Sequence, residues 1–286
     1  MKKHMVLPLL VTGGGIAGFW LRLFQNRTGF DYYTGLPVAG NQWGLFLPAL
    51  LAAAVSLTLL LSRALPAGTS REAESFRSAF SSHNTLPLLL LVAGVFATIL
   101  SGAAETAAGM GVNVILPIGD TVFPLAAVAG SASQKLHLIL GISTAACGAS
   151  ILSAVPACRR AGSHEVAAPS PRSVRGNLLL LPTAVLVIRL VVTYREVSIL
   201  PSLMTYYVEI LALSAATLAF FRLSSFAFEA GNTRRFVRYA AVAVLLCLAT
   251  LADQTSICSL LLYAGCALML LAFLLLRLEN IASTHS

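Results

Sequence analysis

The chain has 286 residues, 57% of them hydrophobic and only 10% charged, with a net charge of +8 and a mean hydropathy of +0.84. A water-soluble domain carries about a quarter charged residues, so this composition excludes an ordinary soluble globule. The basic excess sits in short connections between apolar runs rather than in one stripe, which argues against a nucleic-acid surface.

Apolar runs of about 18 residues read as membrane-spanning helices. The first lies near residues 5–24 and opens with "MKKHMVLPLL". That opening has the basic and apolar regions of a signal peptide, yet no small-residue cleavage pattern precedes Phe19-Trp20, so an uncleaved span is expected. Inside it "TGGGIAG" matches G-x-G-x-x-G through Gly13, Gly15 and Gly18, with Asp31 eighteen residues beyond Gly13. A dinucleotide fold needs alternating strands and helices after such a turn. Only further apolar runs follow, so the glycines read as a seam where another helix approaches closely.

Further runs lie near 45–61, 86–104, 136–155, 177–194, 203–221, 236–252 and 257–276. The predicted fold is an all-α, polytopic transmembrane bundle of eight spans in a single domain. Between the second and third spans, "TSREAESFRSAF" offers Thr69 and Glu72 as a capping box. Ala73, Phe76 and Phe80 then share one helical face opposite Arg71, Glu74 and Arg77, which fits a short helix in the headgroup layer or a solvated loop. Gly94, Thr98 and Gly102 form a small-residue stripe in the third span, as do Gly141 and Ala145 in the fourth. The Pro-, Ser- and Arg-rich linker 156–176 divides the spans into two groups of four.

Residues 110–130 are apolar enough to tempt a ninth span, but carry Pro117, Asp120 and Pro124. Charge decides between the readings. With eight spans, fourteen Lys and Arg residues fall on the side of the N-terminus and four on the other, Arg189 set aside as intramembrane. A ninth span would shrink the bias to seven against eleven. The positive-inside rule therefore puts both termini in the cytoplasm of a cell-membrane protein and leaves 110–130 as an extracytoplasmic loop, surface-lying or re-entrant.

Arg189 stands inside "AVLVIRLVVTYREVS". At 1.5 Å per residue it lies about 18 Å into its span and roughly 7 Å short of Tyr194. Glu209 lies about 9 Å down the next helix, so the two are expected to pair at matching depth. Arg22, Glu105 and Asp253 occupy the outer ends of spans one, three and seven, with Asp120 in the 110–130 loop. Tyr194, Tyr206 and Tyr207 flank the pair, and Asp31, Tyr32 and Tyr33 lie in the first outer loop. Together they predict a polar, aromatic-lined vestibule open to the outside. The competing reading has Arg189 snorkelling outward past an interfacial tyrosine belt.

Catalytic and cofactor readings fail on missing residues. G-x-S-G, HExxH and Walker A sequences are absent, "PIGD" has Pro117 where a G-x-G-D site needs glycine, and His164-Glu165 lacks a second histidine because Ala168 takes its place. Lysines occur only at 2, 3 and 135, which excludes a Schiff base deep in the last span. The five cysteines show no metal or disulfide spacing and read as small buried hydrophobes. No metal, cofactor or catalytic residue is therefore assigned.

"LRLFQNRTGFDYYTGLPVAGN" and "TYREVSILPSLMTYYVEILAL" resemble segments of an uncharacterised family of bacterial multi-pass integral membrane proteins. The resemblance runs through much of the chain and implies membrane embedding, with no established activity to carry over. The first functional expectation is a small-solute transporter or permease using Arg189 and Glu209. The alternative is a non-transporting sensor or accessory subunit, and an intramembrane enzyme ranks third. The expected partners are the lipid bilayer, a small solute and another membrane protein, with no role for nucleic acid.

Overall fold

The structure is a computed structural model that describes residues 6–30, 38, 43–63, 76–82, 84–112, 115–118, 121–126, 131–159, 176–198, 206–253 and 256–284. Apolar runs coil into helices, even across Pro48 and Pro182, because lipid offers backbone groups no other partner. In chain order these are α1 (Val6–Thr28), α2 (Trp43–Arg63), the single-turn α3 (Phe76–Phe80), α4 (Thr85–Gly109), α5 (Ser131–Leu152), α6 (Val155–Cys158), α7 (Gly176–Val197), α8 (Tyr207–Ser224), α9 (Thr233–Thr250) and α10 (Ile257–Thr284). Asn84 caps α4 and Asn232 caps α9, each side chain accepting from a backbone N–H of the first turn. A 3₁₀ turn, Ser225–Phe228, follows α8, and Glu229 then takes a left-handed φ of 56° that swings the chain into α9.

Seven helices among the described residues are long and apolar enough to cross a membrane: α1, α2, α4, the α5–α6 segment, α7, α8 and α10. They match seven of the eight expected spans. The eighth, near 236–252, is α9, whose first six residues include Arg234, Arg235 and Arg238. It is a full helix inside the bundle, packed on α1, α2, α8 and α10. Leu9, Leu89, Phe96, Ile139 and Val191 are each more than half exposed. A water-soluble protein would not present so many large apolar side chains on helices of membrane-crossing length, and the architecture is that of a multi-pass membrane protein.

Side-chain contacts define two ends. At one, Arg234 donates to the Arg63 carbonyl (2.9 Å) and Asn84 donates to the Glu279 carboxylate (2.8 Å). Arg277 reaches Thr233 Oγ1 (2.6 Å) and the Ala79 carbonyl (3.3 Å). This joins the end of α2, α3, the start of α4, the start of α9 and the end of α10. At the other end lie the finish of α1, α4 and α9 and the start of α5, α8 and α10, as the polar contacts described below establish. Residues 115–118 and 121–124 form β1 and β2 of an antiparallel hairpin there, and the Leu125 carbonyl just beyond accepts from the Cys258 backbone (3.2 Å). No spanning helix occurs in 110–130 among the described residues, in agreement with the loop reading. Asp120 lies outside the described residues.

α3 corrects one expectation. Instead of turning their rings toward lipid, Phe76 and Phe80 are buried against the bundle, with Phe80 meeting Phe226, Phe236 and Phe273 at ring centroids of 5.1–5.5 Å. Aromatic edges and faces offer a better resting place for these rings than lipid headgroups do. Thr69, Glu72 and Ala73 lie outside the described residues, as does most of the linker 156–176.

Candidate functional site

The inward face of α4 reads Leu91, Gly94, Thr98, Gly102, Glu105 and Ala108, all buried and spaced three or four residues apart. Glycines at Gly102 and Gly141 bring α4 and α5 into backbone contact. A Cβ on Gly102 would stand 2.6 Å from the Gly141 carbonyl oxygen, and one on Gly141 2.5 Å from the Thr106 nitrogen. Gly94 meets α10 in the same way, 2.9 Å from the Gly265 oxygen. Ser101 continues that seam by donating to the Cys258 carbonyl (2.6 Å). The small-residue stripes are therefore packing seams, and they carry Glu105 into the middle of the bundle.

There Glu105 is clamped on both sides. Arg189 of α7 donates to its Oε2 at 2.7 Å, and His137 of α5 meets its Oε1 through Nδ1 at 3.1 Å. Arg189 also approaches Thr144 of α5 at 3.5 Å. Glu105 is 1% exposed and Arg189 7%, so this is a buried ion pair and Arg189 does not snorkel to the interface. Glu209 of α8, which the sequence led us to expect as the partner of Arg189, forms no ion pair with it among the described residues. Tyr263 of α10 donates to the Glu209 carboxylate at 2.8 Å. The reason is direction: matching depth on neighbouring helices does not bring two side chains together unless both face the same gap. Glu209 and Tyr263 nonetheless lie within electrostatic reach of Arg189, so one polar cluster joins α4, α5, α7, α8 and α10.

A second cluster occupies the same end. The buried stripe of α1 runs Val11, Gly15, Gly18, Arg22 and Gln25. Gly15 and Gly18 abut Leu248 and Ala249 of α9, with prospective Cβ contacts of 2.6 and 3.2 Å, whereas Gly13 has nothing within 4 Å. This is the helix seam expected of "TGGGIAG", and it delivers Arg22 to the end of α9. Fully buried, Arg22 donates from Nε to Asp253 Oδ1 (2.6 Å) and from a terminal nitrogen to Gln25 Oε1 (2.7 Å). Asn26 donates to the same Asp253 oxygen (3.1 Å), and the Tyr207 ring lies 5.5 Å from the Arg22 guanidinium. Burial pushes the Asp253 carboxyl above the usual carboxylate range, while Arg22 and Asn26 pull it the other way.

The single vestibule expected from the sequence is thus divided. Arg189, Glu105 and Glu209 belong to one cluster; Arg22, Asp253 and Tyr207 belong to the other. Tyr206 lies between them: burial raises its phenol pKa, and both Glu209 and Asp253 add to the shift. Tyr194 is 56% exposed and belongs to neither. Asp31, Tyr32 and Tyr33 lie outside the described residues. His137, Thr144, Tyr263, Gln25 and Asn26 were not picked out from the sequence. Each is a polar residue within or beside an apolar run, and that was their only signal.

Among the described residues no three His, Cys, Asp or Glu side chains gather closely enough to hold a metal ion, and the five cysteines are free and buried. The cluster's chemistry is that of charge and proton handling: one carboxylate held between a permanent cation and a titratable imidazole. No protein-family model, curated protein or solved structure matches the chain.

Proposed function

We propose that the chain is an eight-span protein of the bacterial cell membrane with both termini in the cytoplasm, and that it moves a small solute using Glu105, His137 and Arg189 as its charge-handling centre. Counting α9 as the eighth crossing is supported by its ends: its start meets the end of α2 through Arg234, and the residue pair Asp253–Arg22 ties its finish to the end of α1. Its three arginines then fall on the cytoplasmic side with most of the other basic residues.

One observation carries the functional reading. Five helices converge to bury a carboxylate, a guanidinium and an imidazole at a depth where a scaffold could use aliphatic side chains without any desolvation cost. Ionisable groups inside membrane helices mark solute or proton pathways more often than structural needs. The experiment is reconstitution of the purified chain on a solid-supported membrane, followed by concentration jumps of amino acids, sugars, carboxylic acids and quaternary amines. A transient current with one class, lost in Glu105→Gln and kept in Tyr194→Phe, is the expected result. No current from any class, in protein that remains folded, overturns it.

The alternative, a non-transporting sensor or accessory subunit, draws on a different observation. α4, α5 and α10 run unbroken past the cluster and are locked by glycine contacts at Gly94, Gly102 and Gly141. Discontinuous helices commonly line transporter sites. Co-purification of a second membrane chain together with silence in the current assay would favour this reading.

A further inference from the structure

A groove of about 580 Å³ runs along α2, α8 and α9, its arginine end lying at the end of the bundle opposite both clusters. Its floor is apolar: Leu211 and Leu218 of α8, Val242 and Leu246 of α9, and Leu59 of α2 line it, and Leu59, Leu211 and Leu218 are 39–49% exposed. At its end stand Arg222, Arg235 and Arg238, with Tyr239 beside them. α8 and α9 are antiparallel, so the last turn of one and the first turns of the other bring these arginines to the same level.

Their partners are few. Arg238 donates from Nε to Ser62 Oγ (2.8 Å), which fixes the guanidinium and leaves its terminal nitrogens without an acceptor among the described residues. Arg222 lies 5.8 Å from the Tyr239 ring centroid, and its buried Nε has no hydrogen-bond partner among the described residues. Among the described residues none of the three forms an ion pair with a carboxylate. Three guanidiniums gathered at one end of a groove, with no carboxylate of the described residues paired to them, make a site of strong positive potential that phosphate oxygens match in geometry.

Length identifies the rest of the ligand. From Leu211 to Arg222 the α8 wall extends eleven residues, about 16 Å at 1.5 Å per residue, close to one leaflet's half of the ~30 Å hydrocarbon core. We propose that this groove binds an anionic phospholipid from the leaflet at the arginine end, one acyl chain lying along α8 and α9 and the phosphate held by Arg222, Arg235 and Arg238. A free phosphate would use the arginines and leave the apolar wall empty. The site is independent of any solute movement through the bundle.

The test is native mass spectrometry of the full chain in detergent, titrated with phosphatidylglycerol or phosphatidylcholine of identical acyl chains. Phosphatidylglycerol binds about tenfold more tightly, and excess inorganic phosphate does not displace it. The pair Arg222→Gln/Arg235→Gln brings the two lipids to parity, while Arg195→Gln, an exposed arginine near the end of α7 at the other end of the bundle, leaves the preference intact. Leu218→Trp fills the apolar wall with the charges in place and weakens both lipids, which keeps the test decisive if the arginine pair fails to fold. Parity in the unmodified chain, an equal loss in Arg195→Gln, no loss in Leu218→Trp, or displacement by inorganic phosphate would each overturn the proposal.

Discussion

Arg189 and Glu105, separated by 84 positions in the chain, meet at 2.7 Å inside the bundle. Breaking one side of a buried pair strands the other charge and costs about 3–5 kcal/mol, whereas replacing both by apolar residues is close to neutral. Arg189→Met and Glu105→Leu should therefore each lower the unfolding midpoint sharply in detergent, and the double variant should regain most of the loss. A double-mutant cycle read by SDS or thermal unfolding gives the coupling. Additive losses would mean that the pair contributes nothing jointly.

The glycine seam makes a second, contrasting expectation. Gly102→Ala drives a methyl against the Gly141 carbonyl oxygen 2.6 Å away, and overpacking of this kind costs about 1–3 kcal/mol. Gly13→Ala meets nothing within 4 Å and trades a flexible helical residue for a better helix former, a gain of about 0.5–1 kcal/mol. The two substitutions should shift the melting temperature in opposite directions. A large loss at Gly13 would reopen the question of what that turn is for.

The eight helical segments were legible because lipid leaves the backbone no other choice, and hydropathy alone finds seven of them as membrane-length helices. α9 fell short on its three arginines, and only its place in the bundle shows that it runs alongside the rest. The partner of Arg189 was half legible. Glu105 continues the stripe of Gly94, Thr98 and Gly102 in helical steps, so its burial could be read from the sequence. Which helix it would meet could not be, because that depends on how α4, α5 and α7 pack across long sequence separations. The same limit hid His137 and Tyr263, single polar residues whose meaning lies wholly in what stands opposite.

Arg22 supplies a third expectation. It is fully buried and donates to Asp253 and Gln25, with Asn26 donating to the same Asp253 oxygen. Asp253→Ala removes the carboxylate to which the buried Arg22 Nε donates and should cost about 3–5 kcal/mol. Arg27, one and a half turns further along α1, is exposed; Arg27→Ala should change stability by less than about 0.5 kcal/mol. Unfolding in detergent compares them directly, and equal effects would show that burial of Arg22 carries no weight.

Phe80 touches rings from the 3₁₀ turn after α8, from α9 and from α10, and so holds α3 against the bundle. Truncating a buried phenylalanine costs about 3–5 kcal/mol. Phe80→Ala should lower the melting temperature and expose Arg77–Phe80 to protease, while Phe80→Leu should keep most of the stability.

The topology yields the sharpest expectation, because α9 decides it. All five native cysteines are buried, so a membrane-impermeant maleimide should label the unmodified chain weakly. Glu229→Cys places a thiol at an exposed position just before α9, and Ser256→Cys places one at a half-buried position just after it. If α9 crosses, the two positions lie on opposite faces: Ser256→Cys labels in intact cells, and Glu229→Cys labels only after permeabilisation. Labelling of both from the same side would mean that α9 is a helix that dips into the bundle and returns. The arginines at its start would then sit against protein within the membrane rather than at its inner surface, and the orientation drawn from charge would have to be reassigned.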